Sequence, residues 1–340
     1  MSAAETRIRV LVADDSEIFR EVLSRVIGAD PAFEVVAVAA DGNEAARLVH
    51  QLKPDVITMD LNMPDADGFS GIARIMADTP TPIMVLTGNK AEVVGFKALS
   101  LGALDILEKP EDGVDLEAYG AQIRSRLRLL SGVKVIRHLR GLRERKLPPP
   151  PTKGRRADVV VIGASLGGPR ALASLLRGLP PTFPVGIAVV QHIADGFTEG
   201  LASWLGQECA LRVRQASDGD PLQAGHVLLA PSGRHLLVAD GRVRLFDGPP
   251  VDTFKPSVTP LFLSAAQSYG ARACGVILTG MGHDGAAGLK VLHDAGGATL
   301  AQDEQSSAVF GMPKAAIDMG AVDRVLPLED IPRTLMALTL

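Results

Sequence analysis

An apolar run that does not alternate with polar residues, Val159 to Ile162, constrains the fold of this chain more than any other feature. A strand with one solvent-exposed face alternates apolar and polar side chains. An uninterrupted run of β-branched residues is therefore typical of a strand that is buried on both faces of a parallel sheet. Gly163, Gly167 and Gly168 then permit a sharp turn, and Pro169 suits the first turn of a helix. The segment therefore predicts a strand, a tight turn and a helix.

Ser165 lies in this predicted turn. A serine between a strand and a helix is held clear of the sheet, with the helix N-terminus nearby to favour negative charge. Ser165 is therefore a candidate nucleophile. A glycine-rich loop that cradles a phosphate fits the same residues, and this segment alone leaves both interpretations open.

The first half of the chain repeats the pattern of strand followed by helix. Each apolar run ends at a defined residue and precedes a segment with helical spacing, which predicts about five βα units in a doubly wound parallel sheet. In such a sheet the carboxyl ends of the strands form the edge that binds ligands. The runs end at Asp14, Ala40, Asp60, Thr87 and Lys109.

The residues at that edge indicate phosphoryl chemistry. The carboxylates of Asp14, Asp15 and Asp60 would repel one another without a cation, and hard oxygen ligands favour Mg²⁺. Asp60 can then act as a nucleophile toward phosphorus and form an acyl phosphate. Thr87 offers a hydroxyl and Lys109 a cation to bind the phosphoryl oxygens.

Four motifs carry a resemblance to a known family: Val-Ala-Asp-Asp-Ser, Met-Asp-Leu-Asn-Met-Pro-Asp-Ala-Asp-Gly, Val-Leu-Thr-Gly and Gly-Ala-Leu-Asp-Ile-Leu-Glu-Lys-Pro. From residue 7 to about 130 the chain resembles a response-regulator receiver domain, which has a flavodoxin-like fold. The resemblance implies that a histidine kinase phosphorylates Asp60. It also implies Mg²⁺ bound by Asp14, Asp15, Asp60 and the backbone carbonyl of Asn62.

The second half has two further strand ends with polar residues. Gly186 to Val190 leads into Gln191-His192, and Cys274 to Thr279 leads into Gly-Met-Gly-His-Asp-Gly. If these strands neighbour the strand before Ser165, then Ser165, His192 and Asp284 share one edge. We therefore expect a second, larger α/β domain that is also built on a doubly wound parallel sheet.

The chemistry of these side chains predicts their roles. A neutral hydroxyl is a poor nucleophile, so His192 would take the proton of Ser165 and Asp284 would hold the imidazole. Backbone amides near Met281 would bind the oxyanion, at about 3 kcal/mol per donor. This chemistry needs no cofactor.

Alternatives stay open for several of these residues. His283 competes with His192 as the base, and Asp284 could instead cap the helix that begins near Ala286. Gly-x-Ser-x-Gly around Ser165 matches the nucleophile elbow of α/β-hydrolases, but that fold has the order Ser, Asp, His. The order Ser, His, Asp argues against it.

A second resemblance rests on Gly-Ala-Ser-Leu-Gly-Gly-Pro, Val-Val-Gln-His-Ile-Ala-Asp-Gly-Phe-Thr, Leu-Leu-Ala-Pro-Ser-Gly-Arg-His, Lys-Pro-Ser-Val-Thr-Pro-Leu-Phe, Leu-Thr-Gly-Met-Gly-His-Asp-Gly and Ala-Gln-Asp-Glu-Gln-Ser-Ser-Ala-Val-Phe-Gly-Met-Pro. From Val159 to about Pro332 the chain resembles the catalytic domain of the chemotaxis protein-glutamate methylesterases. The resemblance implies hydrolysis of glutamate methyl esters on the cytoplasmic helices of chemoreceptors, and deamidation of receptor glutamines in some members. It implies a Ser165, His192 and Asp284 triad, with Met281 in the oxyanion hole.

Three positions depart from the two families. Ile106 stands where many receivers carry an aromatic residue that changes rotamer on phosphorylation. Leu166 replaces a common threonine beside the nucleophile, and Ser307 replaces a frequent cysteine. We expect activity to survive the last two changes.

The chain divides into a receiver domain over 1–130, a basic, proline-rich linker over 131–157 and a methylesterase domain over 158–340. With 340 residues, 22% charged residues and a formal net charge of -4, it carries no charge excess that would indicate nucleic acid as a partner. Neither a signal-peptide pattern nor an apolar run of about 20 residues occurs, so we expect a cytoplasmic protein without membrane insertion. We assign neither Cys209 nor Cys274 to catalysis.

The main hypothesis is a signalling hydrolase whose receiver crowds the esterase site until Asp60 is phosphorylated. Its partners would be methyl-accepting chemoreceptors as substrate and a chemotaxis-type histidine kinase as phosphodonor. One rival is a non-enzymatic adaptor in which Ser165 is only a turn residue. Another is a nucleotide-binding domain, although the 163–168 loop lacks the lysine and Ser/Thr of a P-loop.

Overall fold

The computed structural model describes residues 7–63, 68–88, 94–110, 113–133 and 156–340. The chain forms two compact units, Met1–Leu142 and Arg143–Leu340. Most of the predicted linker over 131–157 lies outside the described residues, so the three-part division stays a prediction.

The first unit alternates strands and helices, as its apolar pattern predicts. Its strands form one five-stranded sheet in the order β2-β1-β3-β4-β5, and every neighbouring pair is parallel. This is the doubly wound order of flavodoxin-like folds. The elements are β1 (Ile8–Ala13), α1 (Glu17–Gly28), β2 (Phe33–Ala39), α2 (Gly42–Leu52), β3 (Val56–Asp60), α3 (Gly68–Asp78), β4 (Ile83–Thr87), α4 (Val94–Leu101), β5 (Asp105–Glu108) and α5 (Leu116–Ser131).

Local signals position these elements. β3 and β4 are buried along their whole length, which explains their unalternated apolar sequences. Side chains of Ser16, Asp41 and Asp115 accept hydrogen bonds from the first-turn amides of α1, α2 and α5.

The second unit is built on a seven-stranded sheet in the order β14-β13-β12-β6-β7-β9-β8, and all its pairs are parallel. Two α/β units with parallel sheets confirm the predicted fold class. The elements are β6 (Val159–Ala164), α6 (Gly168–Arg177), β7 (Gly186–Gln191), α7 (Thr198–Glu208), β8 (Arg212–Gln215), β9 (His226–Leu229), β10 (His235–Ala239), β11 (Arg242–Phe246), α8 (Val258–Tyr269), β12 (Ala273–Ile277), α9 (Ala286–Asp294), β13 (Ala298–Gln302), α10 (Met312–Asp318), β14 (Arg324–Leu326) and α11 (Ile331–Thr339).

The centre of this sheet determines where a site can form. β6 comes first along the chain, and the following strands β7, β8 and β9 add on one side of it while β12, β13 and β14 add on the other. The order in which successive strands are added therefore reverses between β6 and β12, and ligands of α/β sheets bind at the carboxyl ends of strands beside such a switch point. Ser165 and Thr279 lie at this point, and the Ser165 amide donates to the Thr279 carbonyl over 3.0 Å.

The antiparallel hairpin of β10 and β11 was not predicted from the sequence. Its two-residue turn consists of Asp240 and Gly241, both with positive φ (50° and 72°). Asp-Gly is the strongest short signal for such a turn, so the hairpin was readable from the sequence. It packs on α8 and not into the parallel sheet.

Within the described residues, none of the helices is both long and apolar enough to span a bilayer.

Candidate active site

Ser165 follows β6 directly, between the ends of β12 and β7. Gln191 Nε2 donates to the Ser165 carbonyl over 2.7 Å and to the His192 carbonyl over 2.8 Å, so one side chain joins the two strand ends. On the other side, a Cβ built on Gly280 would lie 2.8 Å from the Ser165 Cβ. The serine turn is therefore fixed from both sides.

His192 and Asp284 form a direct pair. His192 Nε2 lies 2.8 Å from Asp284 Oδ2, and the exposed fractions of the two side chains are 7% and 0%. Burial opposes ionisation of Asp284, but hydrogen bonds from His192, Val258 and Ser257 outweigh it and lower the pKa of Asp284 to about 2. The carboxylate is thus ionised at neutral pH and accepts a hydrogen bond from the imidazole.

The first turn of α8 supplies the other donors to Asp284. Ser257 Oγ and Thr259 Oγ1 donate to Oδ1 over 2.7 and 2.8 Å, and the Val258 amide donates to Oδ2 over 2.7 Å. The carboxylate therefore occupies the positive end of a helix dipole. The alternative that Asp284 caps the helix near Ala286 is wrong, because α9 begins after Gly285 and has no side-chain cap.

The orientation of the imidazole follows from these bonds. Since Asp284 is an acceptor, Nε2 carries the proton in neutral His192 and Nδ1 carries the lone pair. Among the described residues, His192 Nδ1 is buried and has no hydrogen-bond partner. The same part of the structure contains no hydrogen bond between Ser165 Oγ and His192. Of the three predicted residues, His192 and Asp284 are therefore hydrogen-bonded to each other. The Nδ1 atom of His192, which would act as the base, has no partner there.

His283, the competing base, points elsewhere. Its Nδ1 lies 3.8 Å from an Asp252 carboxylate oxygen, and its side chain is 71% exposed. Asp284 bonds to His192 instead, over 2.8 Å.

The turn after β12 contains Met281 and is anchored by hydrogen bonds of Gly280. The Gly280 amide donates to the Val309 carbonyl, and the Gly280 carbonyl accepts from the amides of Gly311 and Met312. Within the described ranges no backbone carbonyl accepts a bond from the Met281 amide. An anchored turn with a free amide is suited to receive an oxyanion.

Sequence reasoning missed the supporting residues of this site. Gln191 stands directly before His192, and His235 ends the motif Leu-Leu-Ala-Pro-Ser-Gly-Arg-His, but neither pattern reveals a contact. In the structure, buried His235 accepts from the Ser257 amide through Nδ1 over 3.2 Å, and its Nε2 lies 2.9 Å from the Pro249 carbonyl oxygen. His235 thus holds the segment that delivers Ser257 to Asp284.

Leu166 and Ser307, which depart from the family pattern, make ordinary hydrogen bonds, and Cys274 is buried. The Leu166 carbonyl accepts a bond from Thr279 Oγ1, and Ser307 Oγ donates to the Asp303 carbonyl. Burial raises the pKa of the Cys274 thiol to about 12, which leaves it protonated and unreactive.

A second cluster lies at the carboxyl edge of the first unit. Lys109 Nζ lies 2.7 Å from Asp14 Oδ2 and 2.8 Å from Asp60 Oδ2, and both carboxylates are buried. Burial raises the pKa of Asp14 against the opposing effect of Lys109. Burial also disfavours the charge on Lys109, but its bonds to the two carboxylates outweigh this and raise its pKa.

The donor set of this cluster fits Mg²⁺. Asp14, Asp15 and Asp60 each offer an oxygen, and these atoms lie within 4.8 Å of one another. The Thr87 hydroxyl is buried and lacks a hydrogen-bond partner among the described residues. The Asn62 amide donates to Asp60 Oδ1 over 3.1 Å, so its backbone is beside the cluster.

Ile106 is buried, and its Cδ1 lies 3.1 Å from a Cβ built on Gly95 of α4. It therefore packs inward against the helix that follows Thr87.

Comparison with protein families matches both units. The family described as CheB methylesterase matches residues 160–335, and the response regulator receiver domain matches residues 10–119. The chain belongs to the CheB methylesterase family.

Whole-length relatives agree with this membership. The chain is 69% identical over 339 residues to protein-glutamate methylesterase/protein-glutamine glutaminase 2 of Anaeromyxobacter dehalogenans, covering 100% of this chain and 99% of the relative. It is 44% identical to methylesterase/glutaminase 4 of Myxococcus xanthus, covering 95% of each. The crystal structure of the Thermotoga maritima CheB methylesterase catalytic domain matches with 40% identity and a TM-score of 0.52, covering 54% of this chain and 98% of that one.

Membership in the CheB family confirms the prediction of a protein-glutamate methylesterase with a receiver domain. It also argues against the two rival hypotheses, an adaptor and a nucleotide-binding domain. The chain matches relatives named as methylesterase/glutaminase enzymes over nearly its whole length, and neither rival accounts for that match.

Proposed function

We propose that this chain hydrolyses methyl esters of glutamate side chains on chemoreceptors through a Ser165, His192 and Asp284 triad, and deamidates receptor glutamines at the same site. The observation that carries the proposal is the buried His192–Asp284 pair, in which His192 Nδ1 is free within the described part of the chain. His192 follows β7, and β7 pairs with β6, the strand that precedes Ser165. The names of the relatives supply both activities.

The reaction follows from these positions. Ser165 Oγ attacks the ester carbonyl while His192 Nδ1 takes its proton, and ionised Asp284 stabilises the imidazolium that forms. The Met281 amide binds the oxyanion, and the imidazolium returns the proton to methanol as it leaves. Water, deprotonated by the same imidazole, then releases glutamate from the acyl-serine. With a glutamine substrate, ammonia leaves in place of methanol.

Phosphorylation of Asp60 is the second part of the proposal. A chemotaxis-type histidine kinase is the phosphodonor, and Asp14, Asp15, Asp60 and the Asn62 carbonyl hold Mg²⁺, which when bound neutralises charge on the phosphoryl group. Lys109 and the unpartnered Thr87 hydroxyl bind the phosphoryl oxygens.

The signal passes from this receiver to the esterase domain. An aspartyl phosphate adds about two negative charges, enough to change an equilibrium between domain arrangements by a few kcal/mol. We place the functional division at receiver 1–130, linker 131–157 and esterase 158–340. The chemoreceptor helices and the kinase are cytoplasmic in this proposal, and the chain acts in that compartment.

Methanol release from methylated receptor membranes tests the esterase assignment. Ser165→Ala removes the nucleophile and should abolish release, whereas Ser307→Ala, a matched change at a serine bonded to the Asp303 carbonyl, should leave it intact. Equal release by wild type and Ser165→Ala would refute the triad.

A further inference from the structure

Phe254 stacks on the imidazole of His192. The ring centroids are 3.9 Å apart and the planes differ by 5°, so one face of the imidazole is covered by an aromatic face. Phe254 precedes Ser257 and α8 by a few residues, and these supply the donors to Asp284. The same segment thus contacts the base and the carboxylate that orients it.

The turn that presents Phe254 is held in an unfavourable backbone conformation. Val251 and Phe254 exchange both backbone hydrogen bonds, over 3.1 and 2.9 Å. Between them, Asp252 and Thr253 have φ values of 48° and 72°. Residues with a Cβ rarely adopt positive φ, and Thr is β-branched, so this strain indicates that the position of the turn matters.

The hydrogen bond to Asp284 does not fix the plane of the imidazole ring. The single bond between Nε2 and Oδ2 fixes the position of one ring atom, and the ring plane can still tilt about that atom. A parallel stack at van der Waals distance removes the tilt and fixes the direction of Nδ1. It also excludes water from one face, and the electron-rich ring face favours a positive charge on its neighbour.

We propose that Phe254 is a positioning residue for the esterase reaction: it holds His192 Nδ1 toward Ser165 and stabilises the imidazolium through its ring face. This inference rests on the proposed triad. Because the imidazolium exists only after proton transfer has begun, the contribution falls on kcat more than on KM.

Two substitutions separate stacking from simple packing. Phe254→Leu keeps an apolar side chain but has no aromatic face, whereas Phe254→Tyr keeps the face. In full-length protein we expect Phe254→Leu to lower kcat for methanol release by about tenfold or more with KM within about twofold of wild type. Phe254→Tyr should retain most of kcat.

Nuclear magnetic resonance provides a readout independent of turnover. In Ser165→Ala protein, the carbon-bound ring protons of His192 should resonate upfield because of the Phe254 ring current. That shift should persist with Phe254→Tyr and disappear with Phe254→Leu. If the ring-current pattern is present but wild type and Ser165→Ala release methanol equally, the triad fails and the stacking stands.

Two results would overturn the proposal itself. One is an unchanged kcat in a folded Phe254→Leu protein. The other is an equal loss of kcat in the Leu and Tyr variants, with thermal unfolding temperatures like that of wild type.

Discussion

At the scale of single residues, Asp284 is the group on which most of the site depends. It lies at the N-terminus of α8 and accepts bonds from the imidazole, two hydroxyls and two backbone amides. A buried carboxylate with this many donors stays charged in spite of desolvation. The charge then dictates which nitrogen of His192 is free.

Replacing Asp284 by Asn should lower kcat for methanol release by about 10³-fold or more, because the amide neither holds the required tautomer nor stabilises the imidazolium. Asp294→Asn, at an exposed carboxylate paired with Lys290, is the matched control and should keep wild-type turnover. A normal kcat in Asp284→Asn would contradict the assigned role.

The lowered pKa of Asp284 also predicts a pH dependence of stability. Its folded pKa is about 2, below the unfolded value of 3.8, so the stabilisation is complete above the unfolded pKa and is lost as pH falls through the folded one. The difference in unfolding free energy between wild type and Asp284→Asn should shrink by about 2 kcal/mol between about pH 5 and pH 2. Urea unfolding across this range measures it, and a constant difference would be the contrary result.

At the same scale, the sequence predicted the side chains whose chemistry suits catalysis. It did not predict the side chains that support them by packing or hydrogen bonding. Ser165, His192 and Asp284 follow predicted strands, so topology alone brings them to one edge. Gln191, His235 and Phe254 show no pattern, because their roles depend on which segments meet in three dimensions. The sequence favours His192 over His283 because His283 shares its tight turn with Asp284. The structure adds the bond between His192 and Asp284 and the 71% exposure of the His283 side chain.

At the scale of elements, the strand order explains the position of the site. β6 lies between β12 and β7, so the turn that contains Ser165 lies between the turn after β12 on one side and His192 on the other. Unalternated apolar runs predicted these parallel strands. The β10–β11 hairpin was not predicted, although its Asp240-Gly241 turn is a strong hairpin signal.

Close approach of the β12 turn to Ser165 predicts intolerance of a side chain at Gly280. A Cβ there would overlap Met312 Sδ and would lie 2.8 Å from Ser165 Cβ. Gly280→Ala should therefore cost about 1–3 kcal/mol of unfolding free energy and lower kcat about 100-fold by displacing the turn.

The control for this prediction is Gly206→Ala in α7, where the nearest atom to a new Cβ is 3.8 Å away. Alanine favours helix over glycine, so this variant should be neutral or more stable. Wild-type turnover in Gly280→Ala would show that the turn can move without consequence.

At the scale of the whole molecule, an enzyme domain and a receiver domain share one chain. Asp60→Asn removes the proposed phosphoryl acceptor while keeping the size of the side chain. Addition of a small phosphodonor with Mg²⁺ should raise methanol release by the wild type and leave that of Asp60→Asn unchanged. Asp55→Asn, directly before the same strand, should respond like wild type. An equal response in Asp60→Asn would place the regulation elsewhere.

The most direct test of the account is covalent labelling of the full chain with a fluorophosphonate, which reacts with activated serines. Mass spectrometry of the digested protein should locate the adduct on Ser165, with labelling slowed at least about tenfold in His192→Ala and in Asp284→Asn. An adduct at another serine, or the same labelling rate in all three proteins, would contradict the triad.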